Sequence, residues 1–258
     1  MHPVQRPLLW LPAALAVVTT AGALGRLGPG AWLVGAAAAT GVVLLVDRAY
    51  VAHRRALGPA DRVTLARATL ACASAALVAD ALLTPAARSA PSPPAALLLV
   101  ALATTGLALD WVDGRVARAT GSASAIGARF DMEVDAFLVL VLSVNAARSL
   151  GGWVLAIGLA RYALLLAERV LPFLRRPVPV RHWGKVVAAT QGVVLTVVAA
   201  GVVPRGVATV AVLLALGLLV ESFGHQVQWL WRTRREAATV PALPVPALSG
   251  PERSAEPA

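Results

Sequence analysis

Apolar residues fall into eight runs along the chain, separated by short stretches that hold most of its charge. The runs span roughly 8–24, 30–46, 63–83, 95–113, 133–148, 153–171, 186–203 and 206–231. Most approach the ~20 residues that a helix needs to cross a bilayer, so the pattern predicts eight membrane helices. The run at 133–148 is the shortest, and its helix is expected to extend back through Asp131. Residues 47–62 are either a short amphipathic helix on the membrane surface, with Arg54 and Arg55 towards headgroups, or a plain polar loop. Residues 84–94 form a proline-rich connection on the opposite side. The segment 237–258, rich in Pro, Ala and Glu, is expected to be disordered. No internal repeat is visible.

The arginines orient these runs. With the N-terminus inside, the inner connections hold clusters: Arg48, Arg54, Arg55 and Arg62; Arg115, Arg118 and Arg129; Arg175, Arg176, Arg181 and Lys185; Arg232, Arg234 and Arg235. The outer connections hold Arg26, Arg88, Arg148 and Arg205, one each. This repeated asymmetry is the positive-inside pattern, and it places both termini on the cytoplasmic side. Tryptophans 10, 32, 153, 229 and 231 fall near predicted run ends, as interfacial anchors do.

Composition agrees. The chain is 58% hydrophobic and 14% charged, with a mean hydropathy of +0.74, too little charge for a soluble domain of this size. A net charge of +10 suggests nucleic acid at first sight. The arginines instead sit in the gaps between spans, where they set topology and meet anionic lipid, so no nucleic-acid partner is expected. Lys185 is the only lysine, and Ala and Arg are abundant, a composition that suggests a GC-rich bacterial genome. Cys72 stands alone in an apolar run as a packing residue. The run after Arg6 fits a first span better than a cleavable signal peptide, because A-G-A-L-G is a weak cleavage site.

The candidate chemistry is concentrated between Asp110 and Asp135. There the chain reads D-x2-D-G-x2-A-R-x8-G-x3-D-x3-D, with Asp110, Asp113, Gly114, Ala117, Arg118, Gly127, Asp131 and Asp135 at the fixed positions. Charge in membrane sequence is expensive and is usually kept for function. Asp110 and Asp113 are i, i+3 on one helix, and Asp131 and Asp135 are i, i+4 on the next, so each pair shares a helix face. A short connection makes the two helices antiparallel neighbours whose faces can meet. Four converging carboxylates repel, and a divalent cation is the natural compensation; hard oxygen ligands favour Mg2+ or Mn2+. The plainer use of these aspartates is helix capping, or pairing with Arg115, Arg118 and Arg129.

This spacing resembles the defining motif of the CDP-alcohol phosphatidyltransferases, integral membrane enzymes of phospholipid synthesis. Upstream, G-P-A-D-R-V-T-L-A-R at 58–67 resembles the family's P-x-N-x-x-T-x-x-R entry to its first core helix; Thr64 and Arg67 match, and Asp61 stands where asparagine is usual. Asp61 and Thr64 also suit helix N-capping, and Arg67 within an apolar run calls for a functional or ion-pair role. Downstream, Ala160, Arg161, Gly184, Lys185 and Gln191 match the later part of phosphatidylglycerophosphate synthases, whereas Tyr162, Val187 and Ala188 depart from it.

The resemblance implies an all-α integral membrane protein with a six-helix core at 47–235, two additional transmembrane helices at 1–46 and a tail at 236–258. It implies transfer of a phosphatidyl group from CDP-diacylglycerol to a small polar alcohol with release of CMP, in a homodimer at the cytoplasmic face of a bacterial inner membrane. The first expected acceptor is sn-glycerol 3-phosphate; inositol phosphate, phosphatidylglycerol and serine are the others. By resemblance, Asp110, Asp113 and Asp131 bind metal and Asp135 is the general base, sometimes completing the ligand set. Thr64, Asp110, Gly114, Ala117, Arg118 and Gly127 would cradle the CDP-lipid, the glycines by removing side chains where the ligand approaches. Arg161, Arg181 and Lys185 are candidate acceptor-phosphate ligands. For Arg181 and Lys185 the plainer reading is positive-inside charge, and for Arg161 it is pairing with Glu168 or an aspartate. Asp80 and Glu221 are each expected to pair with an arginine, and His182 and His225 to sit at the interface.

A transporter or metal-binding membrane protein without transferase activity is the reading from another class, since intramembrane carboxylates serve those too. Transporters commonly show paired broken helices or repeat symmetry, neither of which the sequence displays, and they have no need of Gly114, Ala117, Arg118 and Gly127 at fixed offsets. A transferase relative that has lost activity is the third reading.

Overall fold

The computed structural model describes residues 6–84, 93–122, 124–171 and 182–239. Among these the chain is helical, with no strand. A 3-10 turn at Pro7–Trp10 leads into α1 (Leu11–Gly25), followed by α2 (Pro29–Ala52), α3 (Pro59–Leu83), α4 (Pro93–Thr120) and α5 (Ala125–Leu150). A second 3-10 turn, Gly152–Val154, precedes α6 (Leu155–Val170); α7 (His182–Ala199) and α8 (Arg205–Thr239) complete the set. These eight helices correspond one to one with the eight apolar runs. Five of the described helices are long and apolar enough to cross a membrane: Pro7–Gly25, Pro29–Ala52, Pro59–Leu83, Pro93–Thr120 and Arg205–Arg232. The protein is an all-α membrane protein.

Helix starts follow proline chemistry. Pro29 and Pro59 take the first helical position after Gly28 and Gly58, and Pro93 opens α4; a missing N–H costs nothing there because it has no helical acceptor. The helices outrun the apolar segments at several ends. α2 continues to Ala52, and residues 53–58 are a non-helical connection, so no separate surface helix forms at 47–62. α4 runs to Thr120, which places Gly114, Ala117 and Arg118 on the helix rather than in the predicted connection. α5 reaches back past Asp131 to Ala125, as expected. α8 extends to Thr239, into the segment read as tail. Hydropathy finds the part of a helix that meets lipid; the amphipathic turns beyond it carry charge and stay invisible to that signal.

The centre of the fold is α3. It packs against α1, α2, α4 and α5, and 72% of its most apolar window is buried, against 17–28% for the other four long spans. Its sequence explains why. Ala68, Ala71, Cys72, Ala73, Ser74 and Ala76 are buried small residues, and small residues let membrane helices approach closely. At Gly35 of α2 an added Cβ would lie 2.7 Å from the Ala76 Cβ, so the two helices are in near-backbone contact. One core cluster joins α3 to α4–α8, and a second joins it to α1 and α2 through residues such as Val18, Val43, Tyr50 and Leu65.

Polar ties fix the two N-terminal helices to α3. Asp80 accepts hydrogen bonds from the Gly28 amide and the Thr84 hydroxyl, both at 2.8 Å. Among the described residues its partners are therefore the N-terminus of α2 and its own helix end, with no arginine. At the opposite end Trp10 donates to the Thr69 hydroxyl at 3.3 Å, and the Leu8 amide donates to Asp47 at 3.2 Å. Glu221 likewise has no arginine partner among the described residues; it accepts from Trp183 at 2.8 Å and meets His225 at 3.0 Å.

Candidate active site

Three helix ends meet on one side of the bundle. Arg67 lies eight residues into α3, Asp113 seven residues before the end of α4, and Asp131 six residues after the start of α5. At about 1.5 Å per residue these positions share a depth of roughly 9–12 Å from the helix ends. The short 121–124 connection returns the chain at the same end of the bundle, and α4 and α5 both pack on α3, which stands between their ligand-bearing ends. Ser124 caps α5 by accepting from the Gly127 amide at 3.0 Å, and Gly121 takes the left-handed turn at φ 61°.

The four aspartates converge on the Arg67 guanidinium. Nη1 pairs with Asp113 at 2.6 Å and with Asp131; Nη2 pairs with Asp110 at 3.0 Å and with Asp135. Nε donates to the Gly106 carbonyl at 3.2 Å, fixing the plane of the group. Thr64, one helical turn before Arg67, has one hydroxyl proton to share between Asp113 at 3.3 Å and the Ala60 carbonyl at 3.2 Å. The plainer pairing of the aspartates with Arg115, Arg118 and Arg129 is not seen: these arginines make no ion pair with them among the described residues. Arg115 instead lies 4.4 Å from the Trp111 ring centre, a cation–π contact.

Exposure divides the cluster into a floor and a mouth. The side chains of Arg67 and Asp113 are 2% and 6% exposed, whereas Asp110, Asp131 and Asp135 are 42%, 34% and 35% exposed. Carboxylate oxygens of Asp110, Asp113 and Asp131 all lie within 4.8 Å of one another. An all-oxygen, anionic donor set of that size fits a hard divalent cation such as Mg2+ or Mn2+. Asp135 stands outside this triplet while still facing Arg67.

The glycines of the motif have different surroundings. A Cβ at Gly127 would sit 2.5 Å from Asp61 Oδ1 and 2.9 Å from Ser124 Oγ. The buried Asp61 carboxylate, 3% exposed, also reaches back from the third helical position to accept from the Gly58 amide at 2.8 Å. Gly127 is therefore required by the protein's own packing, a reason the sequence did not reveal, and Asp61 caps α3 as its residue type suggested. At Gly114 a Cβ would meet only the Arg118 guanidinium, at 3.4 Å, and Arg118 itself is exposed. Gly127→Ala should lower stability by about 1–3 kcal/mol through overpacking, while Gly114→Ala should leave it within about 0.5 kcal/mol; thermal unfolding in detergent measures both.

The downstream candidates are less gathered. Arg161 pairs with Glu133 at 2.7 Å rather than with Glu168 or an aspartate, and its buried Nε has no hydrogen-bond partner among the described residues. Glu133 escaped the sequence reading because it falls between Asp131 and Asp135 but on a different helix face; the apolar setting of Arg161 was the available hint that some carboxylate must reach it. Lys185 is exposed and close enough to Asp110 to feel its charge. Arg181 lies outside the described residues, as do Arg175 and Arg176. Gln191, one of the matched downstream positions, is buried and donates to the Ala215 carbonyl at 2.7 Å, which ties α7 to α8.

No curated protein and no solved structure shows significant similarity to the chain. The family profile of the CDP-alcohol phosphatidyltransferases matches residues 58–220, from the cap of α3 into α8 and across every element that supplies the carboxylate cluster. With more than half of its length matched, the chain belongs to the CDP-alcohol phosphatidyltransferase family, enzymes that transfer a substituted phosphate group from a CDP-alcohol to an acceptor.

Proposed function

We propose that the protein transfers the phosphatidyl group of CDP-diacylglycerol to sn-glycerol 3-phosphate, with release of CMP, at the cytoplasmic face of a bacterial cell membrane. The observation that carries this reading is the convergence of Asp110, Asp113, Asp131 and Asp135 at one membrane end of the bundle. The arginine asymmetry of the connections supports a cytoplasmic location for that end.

Asp110, Asp113 and Asp131 would hold the divalent cation, which supplies neutralisation of pyrophosphate charge and of the departing CMP. Asp113, buried against Arg67 and Thr64, anchors the set; Asp110 and Asp131 present their oxygens outward. Asp135 is exposed enough to reach an acceptor and is the proposed general base. It takes the proton of the acceptor hydroxyl, whose oxygen then attacks the β-phosphorus, and the bond to the CMP oxygen breaks. Thr64, Gly114, Ala117, Arg118 and Gly127 are proposed to flank the CDP-lipid. In that group Arg118 is the exposed cation suited to a phosphate, whereas Thr64 and Gly127 act through Asp113 and Asp61. Lys185 and Arg181 are the proposed acceptor-phosphate ligands, and Arg161 joins them where an acceptor phosphate displaces Glu133. Residues 1–46 are proposed as an accessory pair packed on the 47–235 core, with 236–258 as a tail, and the assembly as a homodimer.

The acceptor is tested by incubating the purified protein with CDP-diacylglycerol, Mg2+ and one acceptor at a time, then identifying the lipid product by mass. Phosphatidylglycerol phosphate as the main product is expected. A product formed only from inositol phosphate, phosphatidylglycerol or serine would replace the acceptor assignment and leave the chemistry intact.

A further inference from the structure

We propose that Arg67 is a resident cation of the metal site, one that holds the four aspartates together before metal arrives and weakens metal binding in exchange. This rests on the reading of Asp110, Asp113 and Asp131 as cation ligands.

The geometry separates Arg67 from a substrate ligand. Its side chain is 2% exposed, its Nε is held by the Gly106 carbonyl, and it approaches the carboxylates from the bundle interior. The open side of the cluster belongs to Asp110, Asp131 and Asp135. A cation arriving from the membrane surface would therefore meet the carboxylates from the face opposite Arg67. Each Nη is shared by one aspartate of α4 and one of α5, so a single α3 side chain ties the two ligand-bearing helices to each other. Without it, four carboxylates of like charge would face each other at the end of a membrane bundle, a strongly unfavourable arrangement.

The same charge opposes the metal. Arg67 reduces the formal charge of the cluster from four negative to three and occupies lone pairs that a cation would otherwise share. A neighbouring unit charge changes the proton affinity of a carboxylate by roughly 10- to 1,000-fold, and a dication should respond at least as strongly. Linkage then requires reciprocity: if metal and Arg67 compete for the carboxylates, Arg67 stabilises the metal-free protein more than the metal-bound one.

The test uses the full-length protein in detergent without nucleotide, with Mn2+ as the probe. Free Mn2+ is followed by its electron paramagnetic resonance signal, and the melting temperature is recorded with and without metal. Wild type, Arg67→Met, Arg67→Gln and Asp110→Asn are compared. The expected result is Mn2+ binding by the wild type that Asp110→Asn weakens, and binding by both Arg67 variants that is about tenfold tighter or more. Their metal-free melting temperatures should fall, and Mn2+ should restore much of the loss. Arg67 variants that bind Mn2+ no tighter than wild type would overturn the proposal while leaving the metal site standing. So would variants that fail to fold equally with and without Mn2+; folding rescued by Mn2+ alone would support it. Wild-type protein with no Mn2+ binding sensitive to Asp110 would remove the metal reading itself, and this inference with it.

Discussion

Asp135→Asn should abolish turnover while leaving the folded protein nearly as stable as before. Asparagine keeps the size of the side chain and a carbonyl oxygen to accept from Arg67 Nη2, so the bridge between α3 and α5 is weakened rather than lost. It cannot accept a proton. Removing a positioned base typically costs 10²–10⁴-fold in rate, so CMP release should fall by about that factor. Three carboxylates still face the guanidinium, and the triplet proposed to hold the cation is untouched. The measurement is initial-rate CMP release beside thermal unfolding of the same preparation. A variant retaining more than about a tenth of wild-type activity would remove Asp135 from the role of base.

Asp113→Ala should behave differently, losing activity and stability together. Asp113 is the buried member of the cluster, accepting from both Thr64 and Arg67. Its removal leaves Nη1 with Asp131 alone and opens a space on the site floor. Breaking a buried ion pair from one side commonly costs 3–5 kcal/mol, and three remaining carboxylates on Arg67 should hold the loss to about 2–3 kcal/mol. Activity should fall at least as far as in Asp135→Asn, because the proposed cation loses a ligand and the remaining ligands lose their anchor. The contrast between the two variants, one catalytic in effect and one both structural and catalytic, distinguishes the floor from the mouth. Equal stability losses would mean that burial does not divide the cluster as described.

Much of this was legible in the residues. Apolar run lengths located every described helix, and the i, i+3 and i, i+4 spacing of the aspartates showed that each pair shares a helix face. Arg67 was recognisable as a charge that needed a partner. That it collects all four aspartates was not, because the sequence does not show that α3 lies between α2 and α4–α5, nor that its alanines bring the backbones into contact. Gly127 shows the same limit. Its position in the motif suggested a ligand, but the atom that forbids a side chain there is Asp61 Oδ1, more than sixty residues earlier in the chain. The sequence shows the charge of Asp80 but not that it accepts from a backbone amide at the start of α2. Long-range partners of this kind depend on packing, which composition and periodicity report only indirectly.

The most direct test of the central claim is CMP release from CDP-diacylglycerol by the purified wild-type protein, with Mg2+ present or removed by a chelator. The account predicts release that requires both an acceptor alcohol and the divalent cation. A folded protein that neither binds the CDP-lipid nor releases CMP with any acceptor would contradict it, leaving the carboxylate cluster to serve some chemistry other than phosphatidyl transfer.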